Sequence, residues 1–235
     1  MMKTTILTVL TLALAGTCSA AGNPHAGKFF SAGDPKVNEF SLTYDDGPGQ
    51  ITDELLALLD KRGVKAAFFV LGSSARAKPA QVKKLAGAGH LVASHTDTHK
   101  NWYKIGNAKD REAVLTGELN KAEKALVAAC GIRPTVLRMP NGYDRPWVRE
   151  TARRLGYTLV NWTYGSDWVR QSDDKMAAEY LKALKPGAIL LMHDGGGKNK
   201  GKNLKVTEAL LDEAARRGLK PVRLDALLGL GAPGK

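Results

Sequence analysis

Two adjacent carboxylates, Asp45 and Asp46, stand where the residue types first suggest chemistry. They follow an alternating apolar stretch, residues 40–44, that predicts a strand, and Gly47-Pro48 ends it. Neighbouring side chains at a strand end point in different directions, so one carboxylate can bind a cation while the other stays free for proton transfer. On this stretch alone, a simple turn is the more economical interpretation of Asp-Asp-Gly-Pro.

Two of the five histidines, His95 and His99, lie four residues apart after another predicted strand. That spacing predicts a helical turn with both imidazoles on one face, from which they can reach one ion. Alone it is a weak signal, because surface histidines take this spacing by chance. Two histidines and a carboxylate with open positions suit catalytic Zn²⁺ and also non-haem Fe(II). Zinc is favoured because a second carboxylate, a candidate hydrolytic base, lies beside the ligand.

Strand and helix signals alternate along the chain, which predicts an α/β protein with a parallel sheet. The strand signals lie near 39–44, 66–70, 91–94, 136–138, 158–162, 188–192 and 219–223. A barrel and an open doubly wound sheet both fit this pattern. Polar residues follow the strand signals, and barrels place their active sites at the carboxyl ends of their strands. We therefore expect a single domain built on a (β/α)7-type barrel.

The first 21 residues are typical of a secretory signal peptide, with a basic start, a short apolar core and small residues before the cleavage point. We expect residues 1–21 to be removed and the protein to be secreted or periplasmic. Residues 22–37, rich in Gly, Pro and Lys, are interpreted as an N-terminal arm, and residues 38–230 as one catalytic domain. No later stretch is long and apolar enough to predict a transmembrane segment.

The chain carries a formal charge of +12, spread along its length. An exported basic protein suits an anionic surface such as the cell wall or membrane headgroups. Nucleic acid is the competing partner, but only 6% of residues are aromatic and they do not interleave with basic residues as base-stacking proteins require. We expect no nucleic-acid partner, and we expect a monomer.

The chain resembles the NodB-homology polysaccharide deacetylases, carbohydrate esterase family 4, from about residue 38 to 224. Five motifs of that family occur in order: Thr43 to Pro48, His95 to His99, Arg138 to Gly142, Asp167-Trp168, and Leu191 to His193. Five ordered motifs outweigh the simple alternative for each one, such as a turn at Asp45 or a surface ion pair at Arg138. The resemblance implies a distorted (β/α)7 barrel.

The resemblance also implies the roles of the metal ligands and the base. Asp46, His95 and His99 would bind Zn²⁺, or another divalent metal such as Co²⁺. Asp45 would be the general base that deprotonates the attacking water, and Arg138 would pair with it. A nearby cation keeps a carboxyl group ionised, as a base requires.

The remaining motifs would supply the acid and the substrate pocket. His193 would be the general acid that protonates the leaving amine, and Asp167 would hold it and raise its basicity. The backbone N–H of Asn141 would stabilise the tetrahedral oxyanion together with the metal. Trp168 and Leu191 would wall the acetyl pocket.

Two positions depart from the family pattern. Members often carry an acidic residue shortly before the fourth motif, but none lies between Trp162 and Asp167, and this spacing is one residue short. Asn141 stands where an aromatic residue is frequent, which predicts a more polar subsite. Neither change removes a ligand or a proton-transfer group.

The resemblance implies metal-dependent removal of N-acetyl groups from an N-acetylglucosamine polymer or oligomer, either peptidoglycan or chitin, and the positive charge favours peptidoglycan. One alternative is an esterase that removes O-acetyl groups from a xylan-type polymer. Another is a cell-wall binder that keeps the fold without catalysis. A third is a phosphate-binding loop from Gly196 to Lys202, but Asn203 replaces the Ser or Thr that would hold Mg²⁺.

Overall fold

The computed structural model describes residues 23–196 and 201–231, so the predicted signal peptide lies outside the described residues. Each of the seven predicted strands is present, and an eighth lies in the segment interpreted as an arm. The strands are β1 (Phe29–Phe30), β2 (Glu39–Asp45), β3 (Ala67–Val70), β4 (Leu91–Ser94), β5 (Val136–Leu137), β6 (Thr158–Val160), β7 (Ile189–His193) and β8 (Lys220–Pro221).

Helices follow most of the strands and cover the outside of the sheet. They are α1 (Thr52–Lys61), α2 (Gly72–Ala77), α3 (Pro79–Gly87), α4 (Trp102–Ile105), α5 (Arg111–Cys130), α6 (Pro146–Leu155), α7 (Asp173–Ala183), α8 (Lys202–Arg217) and α9 (Leu224–Leu227). The amphipathic pattern predicts the longer ones but not α2, α4 and α9, which are too short to show a period. Across 23–196 and 201–231, no helix combines the length and apolar character that a membrane crossing requires.

The sheet is parallel throughout, with strand order β1-β6-β5-β4-β3-β2-β7 and with β8 beside the start of β2. The chain just after β6 turns back to the free edge of β7, where Tyr164 forms a bridge with Leu190. There the Leu191 N–H donates to the Tyr164 carbonyl at 2.8 Å. The sheet therefore closes irregularly, which confirms the expected distorted α/β barrel.

The centre of the sheet is buried on both faces, as in other parallel sheets. Phe40 and Tyr44 of β2 and Phe68 of β3 are fully buried, and the Tyr44 and Phe68 rings stack with centroids 5.3 Å apart. The register of β2 and β7 pairs Asp45 with His193 at the carboxyl ends of these strands. The hydrophobic core thus fixes the strands that carry two of the predicted catalytic side chains.

The predicted arm contributes an edge to the sheet. β1 pairs with β6, and the Gly27 N–H donates to the Tyr157 carbonyl at 2.8 Å. The side-chain amide of Asn23 donates to the Gly156 carbonyl and to the Thr158 hydroxyl, both at 3.0 Å. The segment therefore covers the β6 edge, which is otherwise an unpaired row of backbone groups.

Candidate active site

The end of β2 places one carboxylate at the centre of a three-residue cradle. Asp45 is the last residue of the strand, and Asp46 turns the chain with a left-handed φ of 69°. Asp46 Oδ1 lies 3.6 Å from His95 Nε2 and 3.6 Å from His99 Nε2. The three ligand atoms all lie within 4.8 Å of one another, so the predicted ligands converge on one point.

The cradle fits a divalent metal ion. Asp46 Oδ1 is buried, and it has no hydrogen-bond partner among the residues that the structure describes. A buried, unpaired carboxylate oxygen is costly, and a bound cation would satisfy it. Two imidazoles and one carboxylate are a ligand set of catalytic zinc and of non-haem iron sites.

His95 is prepared as a neutral ligand. It is almost fully buried, and its Nδ1 lies 2.7 Å from the Arg138 carbonyl oxygen. Burial lowers the pKa of His95 to about 3. Nδ1–H therefore donates to the carbonyl, and the lone pair of Nε2 faces Asp46, the arrangement that outer hydrogen bonds give to metal-bound histidines.

The predicted helical turn at His95 and His99 is wrong, because this segment is a loop. Thr96 and His99 have left-handed φ values of 66° and 54°. Two loop carbonyls, those of Thr96 and Asp97, accept 3.0 Å hydrogen bonds from the first N–H groups of α2. The backbone is bonded to a neighbouring helix, so both imidazoles reach Asp46 without a helical turn of their own.

The second carboxylate is held by a buried arginine. Asp45 Oδ1 lies 2.7 Å from Arg138 Nη1, and the Arg138 guanidinium is fully buried over the Phe69 ring, 3.9 Å from its centroid. Burial raises the pKa of Asp45 above its ordinary value, and the charge and hydrogen bond of Arg138 reduce that rise. Asp45 Oδ2 lies 3.7 Å from His95 Nε2 and faces the cradle. A carboxylate of raised basicity is thus available beside the candidate metal site.

His193 at the end of β7 is oriented by Asp167. Its Nδ1 lies 2.9 Å from Asp167 Oδ1, and its backbone N–H donates to Asp167 Oδ2 at 2.8 Å. Burial lowers the pKa of His193, but the hydrogen bond and charge of Asp167, with the charges of Asp45 and Asp46, outweigh this and raise the pKa to about 9. The imidazole is therefore protonated at neutral pH, as a general acid should be.

Sequence reasoning missed Asn203 in the first turn of α8. Its side-chain amide donates to Asp167 Oδ2 at 2.6 Å and to the His193 carbonyl at 2.8 Å. Asn203 and Thr207 lie four residues apart on the buried face of α8, and a buried polar residue on an apolar face was the available signal. Asn203 therefore supports the Asp167–His193 pair, and neighbouring Lys202 pairs with Asp173 at 2.6 Å. Lys202 and Asn203, at the end of the segment considered as a phosphate-binding loop, therefore bond to other side chains of the protein.

The shortened fourth motif still delivers Asp167, because α7 holds the preceding loop. The Ser166 N–H donates to the Tyr180 hydroxyl at 3.1 Å, and that hydroxyl donates to the Leu191 carbonyl at 2.5 Å. The Tyr164 hydroxyl donates to Glu179 of α7 at 2.7 Å. The acidic residue that the family often carries within this motif is missing here, but Glu179 of α7 contacts the same loop.

The three predicted substrate-binding residues lie in different environments. Trp168 is 54% exposed, and its ring meets the His193 ring edge to face at 5.6 Å. Leu191 is buried in β7, and Gly165 packs between Leu191 and Trp168. Asn141 lies in the 3₁₀ turn Pro140–Gly142, is exposed, and has φ 58° and ψ 20°, a left-handed conformation that asparagine tolerates.

Two glycines pack against Asp194, the residue after His193. A Cβ at Gly47 would collide with the Asp194 carboxylate, and one at Gly49 would collide with the Asp194 backbone carbonyl. Asp194 is buried and accepts a 2.5 Å hydrogen bond from the Thr52 hydroxyl. The turn after Asp46 therefore packs closely on both the side chain and the backbone of Asp194, the residue that follows β7.

A cleft of about 950 Å³ lies beside the cradle, and its lining includes Asp46, Asp167, Trp168 and His193. The same cleft is bordered by Lys78 of the α2–α3 junction, whose side chain adds positive charge to its rim. Barrel strand ends that surround a candidate metal cradle, a buried carboxylate and a protonated imidazole are typical of hydrolytic enzymes.

Comparison with known proteins narrows this class. Residues 32–160, more than half of the chain, match the polysaccharide deacetylase family. A chitooligosaccharide deacetylase of Bradyrhizobium sp. (strain ANU 289) is 35% identical over 157 residues, which cover 66% of this chain and 69% of the relative. A peptidoglycan-N-acetylglucosamine deacetylase of Bacillus cereus is 28% identical over 191 residues, covering 80% and 68%. The chain therefore belongs to the polysaccharide deacetylase family, as its five motifs predicted.

A solved structure supports the same family through the fold. The crystal structure of the Bc1960 peptidoglycan N-acetylglucosamine deacetylase, in complex with 4-naphthalen-1-yl-N-oxidanyl-benzamide, superposes with a TM-score of 0.80 at 26% identity. The match covers 89% of this chain and 96% of that chain. The shared fold therefore extends over most of the chain.

Asp167→Asn should lower the pKa of His193. In the wild type the Asp167 carboxylate, together with the charges of Asp45 and Asp46, overcomes the effect of burial and holds the pKa near 9. With a neutral amide at 167 the largest of these contributions is lost while those of Asp45 and Asp46 remain, and we expect the pKa to fall towards the ordinary value of about 6.5. NMR titration of His193 in metal-free protein measures this directly. An unchanged pKa in the variant would show that another group sets the charge of His193.

Proposed function

We propose that this protein is a metal-dependent hydrolase that removes N-acetyl groups from N-acetylglucosamine polymers, with Zn²⁺, or another divalent metal such as Co²⁺, in the cradle. The observation that carries the proposal is the convergence of Asp46, His95 and His99 on one point. Asp45 lies beside them but is paired with Arg138, so its carboxylate is not one of the three candidate ligands. The relatives named as chitooligosaccharide and peptidoglycan deacetylases support this substrate class.

In the proposed mechanism Asp46, His95 and His99 hold the ion, which when bound supplies Lewis acidity and lowers the pKa of water towards neutrality. Asp45 takes the proton from the attacking water at Oδ2. Its other oxygen, Oδ1, is occupied by Arg138, so Oδ2 is the oxygen that faces the cradle. Burial raises the basicity of this carboxylate towards that of an effective general base.

His193 delivers the proton that the leaving amine requires. Its Nδ1 is bound by Asp167, so the proton available to the substrate is the one on Nε2. We propose that the Asn141 N–H stabilises the tetrahedral oxyanion, a contribution of about 3–4 kcal/mol for such a donor. Trp168 and Leu191 would flank the acetyl group on either side of Gly165.

The polymer itself is proposed from charge. The formal charge of +12 suits an anionic cell-wall polymer, which favours peptidoglycan over chitin oligomers. The composition of residues 1–21 supports a secreted or periplasmic location, and we propose that the protein acts there as a monomer.

The deciding experiment measures released acetate from N-acetylglucosamine oligomers, peptidoglycan and acetylated xylan side by side with added Zn²⁺. We expect release from both N-acetylated substrates, with peptidoglycan preferred, and little from xylan. Release from acetylated xylan alone would make the protein an O-acetyl esterase. Binding to the glycans with no acetate from any of them would make it a non-catalytic binder.

A further inference from the structure

The loop that carries the two histidines is bonded by a buried carboxylate that belongs to none of the five motifs. Glu118, in the middle of α5, accepts hydrogen bonds from the backbone N–H of Asp97 at 3.2 Å and of Thr98 at 2.8 Å, both at Oε2. The Thr98 hydroxyl lies 2.9 Å from Oε1 and 3.0 Å from Oε2. Lys100 Nζ lies 3.8 Å from Oε1. Both oxygens are therefore used on the segment between His95 and His99.

The surroundings of Glu118 within α5 are apolar, so the helix itself gives no reason for a charged residue there. Glu118 is 5% exposed, and it lies among the fully buried residues Leu115, Leu119 and Ala122 of the same helix. Burying a carboxylate costs several kcal/mol unless hydrogen bonds compensate it. The hydrogen bonds and the ion pair that compensate Glu118 all involve residues 97, 98 and 100, so its carboxylate is directed at the histidine loop.

The backbone of the histidine loop is strained and needs hydrogen bonds from neighbouring elements to hold it. Thr96 and His99 both have left-handed φ values, and each non-glycine residue in a sparsely populated region costs on the order of 1–3 kcal/mol. The N-terminus of α2 binds the carbonyl groups of Thr96 and Asp97, and Glu118 binds the N–H groups of Asp97 and Thr98. The backbone between the two histidines is thus held through both its donors and its acceptors.

We propose that Glu118 is a positioning residue of the metal centre, which holds residues 97 and 98 between the left-handed Thr96 and His99 so that both imidazoles face Asp46. The inference rests on the proposed metal-dependent function and goes beyond it to a residue outside the ligand set. His99 depends on the clamp most, because it follows the clamped peptides, is one-third exposed and has no outer hydrogen bond among the described residues, whereas His95 is fixed by the Arg138 carbonyl.

The test compares Glu118→Met with Glu123→Met in the full chain. Methionine has about the length of Glu118 and suits its apolar surroundings, but it has no oxygen to accept hydrogen bonds from the loop N–H groups. We expect Co²⁺ affinity, followed by its visible absorption, to fall about 10- to 100-fold, the range for loss of an outer-shell partner. Glu123 is on the same helix and contacts Arg133 and Tyr157 instead, so its variant should bind Co²⁺ like the wild type.

A second readout does not involve the metal. In metal-free protein, amide hydrogen exchange at residues 96–99 should be faster in Glu118→Met than in Glu123→Met, because the loop opens more often. Should Glu118→Met fail to fold, Thr98→Val removes only the hydroxyl bonds and should weaken Co²⁺ binding roughly two- to tenfold. Wild-type Co²⁺ affinity with unchanged loop exchange in Glu118→Met would overturn the inference. If the wild type itself binds no Co²⁺, the proposed function fails first, and Glu118 has no metal centre to position.

Discussion

Asp45→Asn should reduce kcat for N-acetylglucosamine oligomers about 1,000-fold, within the 10²–10⁴ range that general acid–base catalysis contributes. The amide keeps an oxygen for Arg138 but has no basic site for the proton of the attacking water. The proton transfer to Asp45 stabilises only the transition state. We therefore expect kcat and kcat/KM to fall by the same factor, with KM nearly unchanged. Metal affinity should be preserved, because the cradle atoms belong to Asp46, His95 and His99.

The Asp45 variant needs a check on folding, because the fully buried Arg138 would lose its counter-charge. Breaking a buried ion pair from one side costs about 3–5 kcal/mol, so thermal unfolding and Zn²⁺ affinity should be measured on the same preparation. Asp60→Asn is the matched control, since Asp60 lies at the end of α1 with a side chain that is 77% exposed. A folded, metal-loaded Asp45→Asn enzyme that keeps a tenth of the wild-type kcat would show that another group takes the proton.

Removing the metal should abolish acetate release, and adding Zn²⁺ or Co²⁺ should restore it. Binding should also stabilise the fold, by about 2.7 kcal/mol when the free metal is at 100 times its Kd. For a chain of this size each kcal/mol raises Tm by about 2–4 °C, so the metal should raise Tm by roughly 5–10 °C. Full activity after exhaustive treatment with a chelator would refute the metal proposal.

Variants of the candidate ligands test whether the metal binds at the cradle. His95→Gln should lose more metal affinity than His99→Gln, because His95 is almost fully buried and oriented by the Arg138 carbonyl while His99 is one-third exposed. His25→Gln is the control, since His25 lies near Lys28 at the β1 edge, away from the strand ends. Equal affinity in all three variants would contradict the ligand assignment.

The sequence was most informative where a chemical requirement fixes both residue type and spacing. His95, His99 and one carboxylate of the Asp45-Asp46 pair could be proposed from their types, and the strand signals placed them at one end of a parallel sheet. The choice of Asp46 as the ligand came from the family resemblance. The contacts of Asp45 with Arg138 and of Asp167 with His193 could be expected only from the family resemblance. Residues so far apart in the chain have no local pattern that joins them.

Other features depend on tertiary contacts. The spacing of His95 and His99 suits a helical turn and a left-handed loop equally well, and bonds from α2 and Glu118 decide for the loop. β1 has only two residues, and its strand character comes from pairing with β6. Glu118 and Asn203 carried one weak signal, a polar residue on the buried face of an amphipathic helix.

The tight packing of Gly47 and Gly49 on Asp194 bears on how this enzyme can be adapted to another polymer. Their contacts with the Asp194 carboxylate and backbone leave no volume for a side chain, so substitution at either glycine would disturb the turn that carries Asp46 before it altered selectivity. By contrast, Trp168, Val169 and Arg170 are exposed and line the cleft. A mutant library aimed at new substrates should therefore be concentrated at 168–170 and leave 47–49 constant.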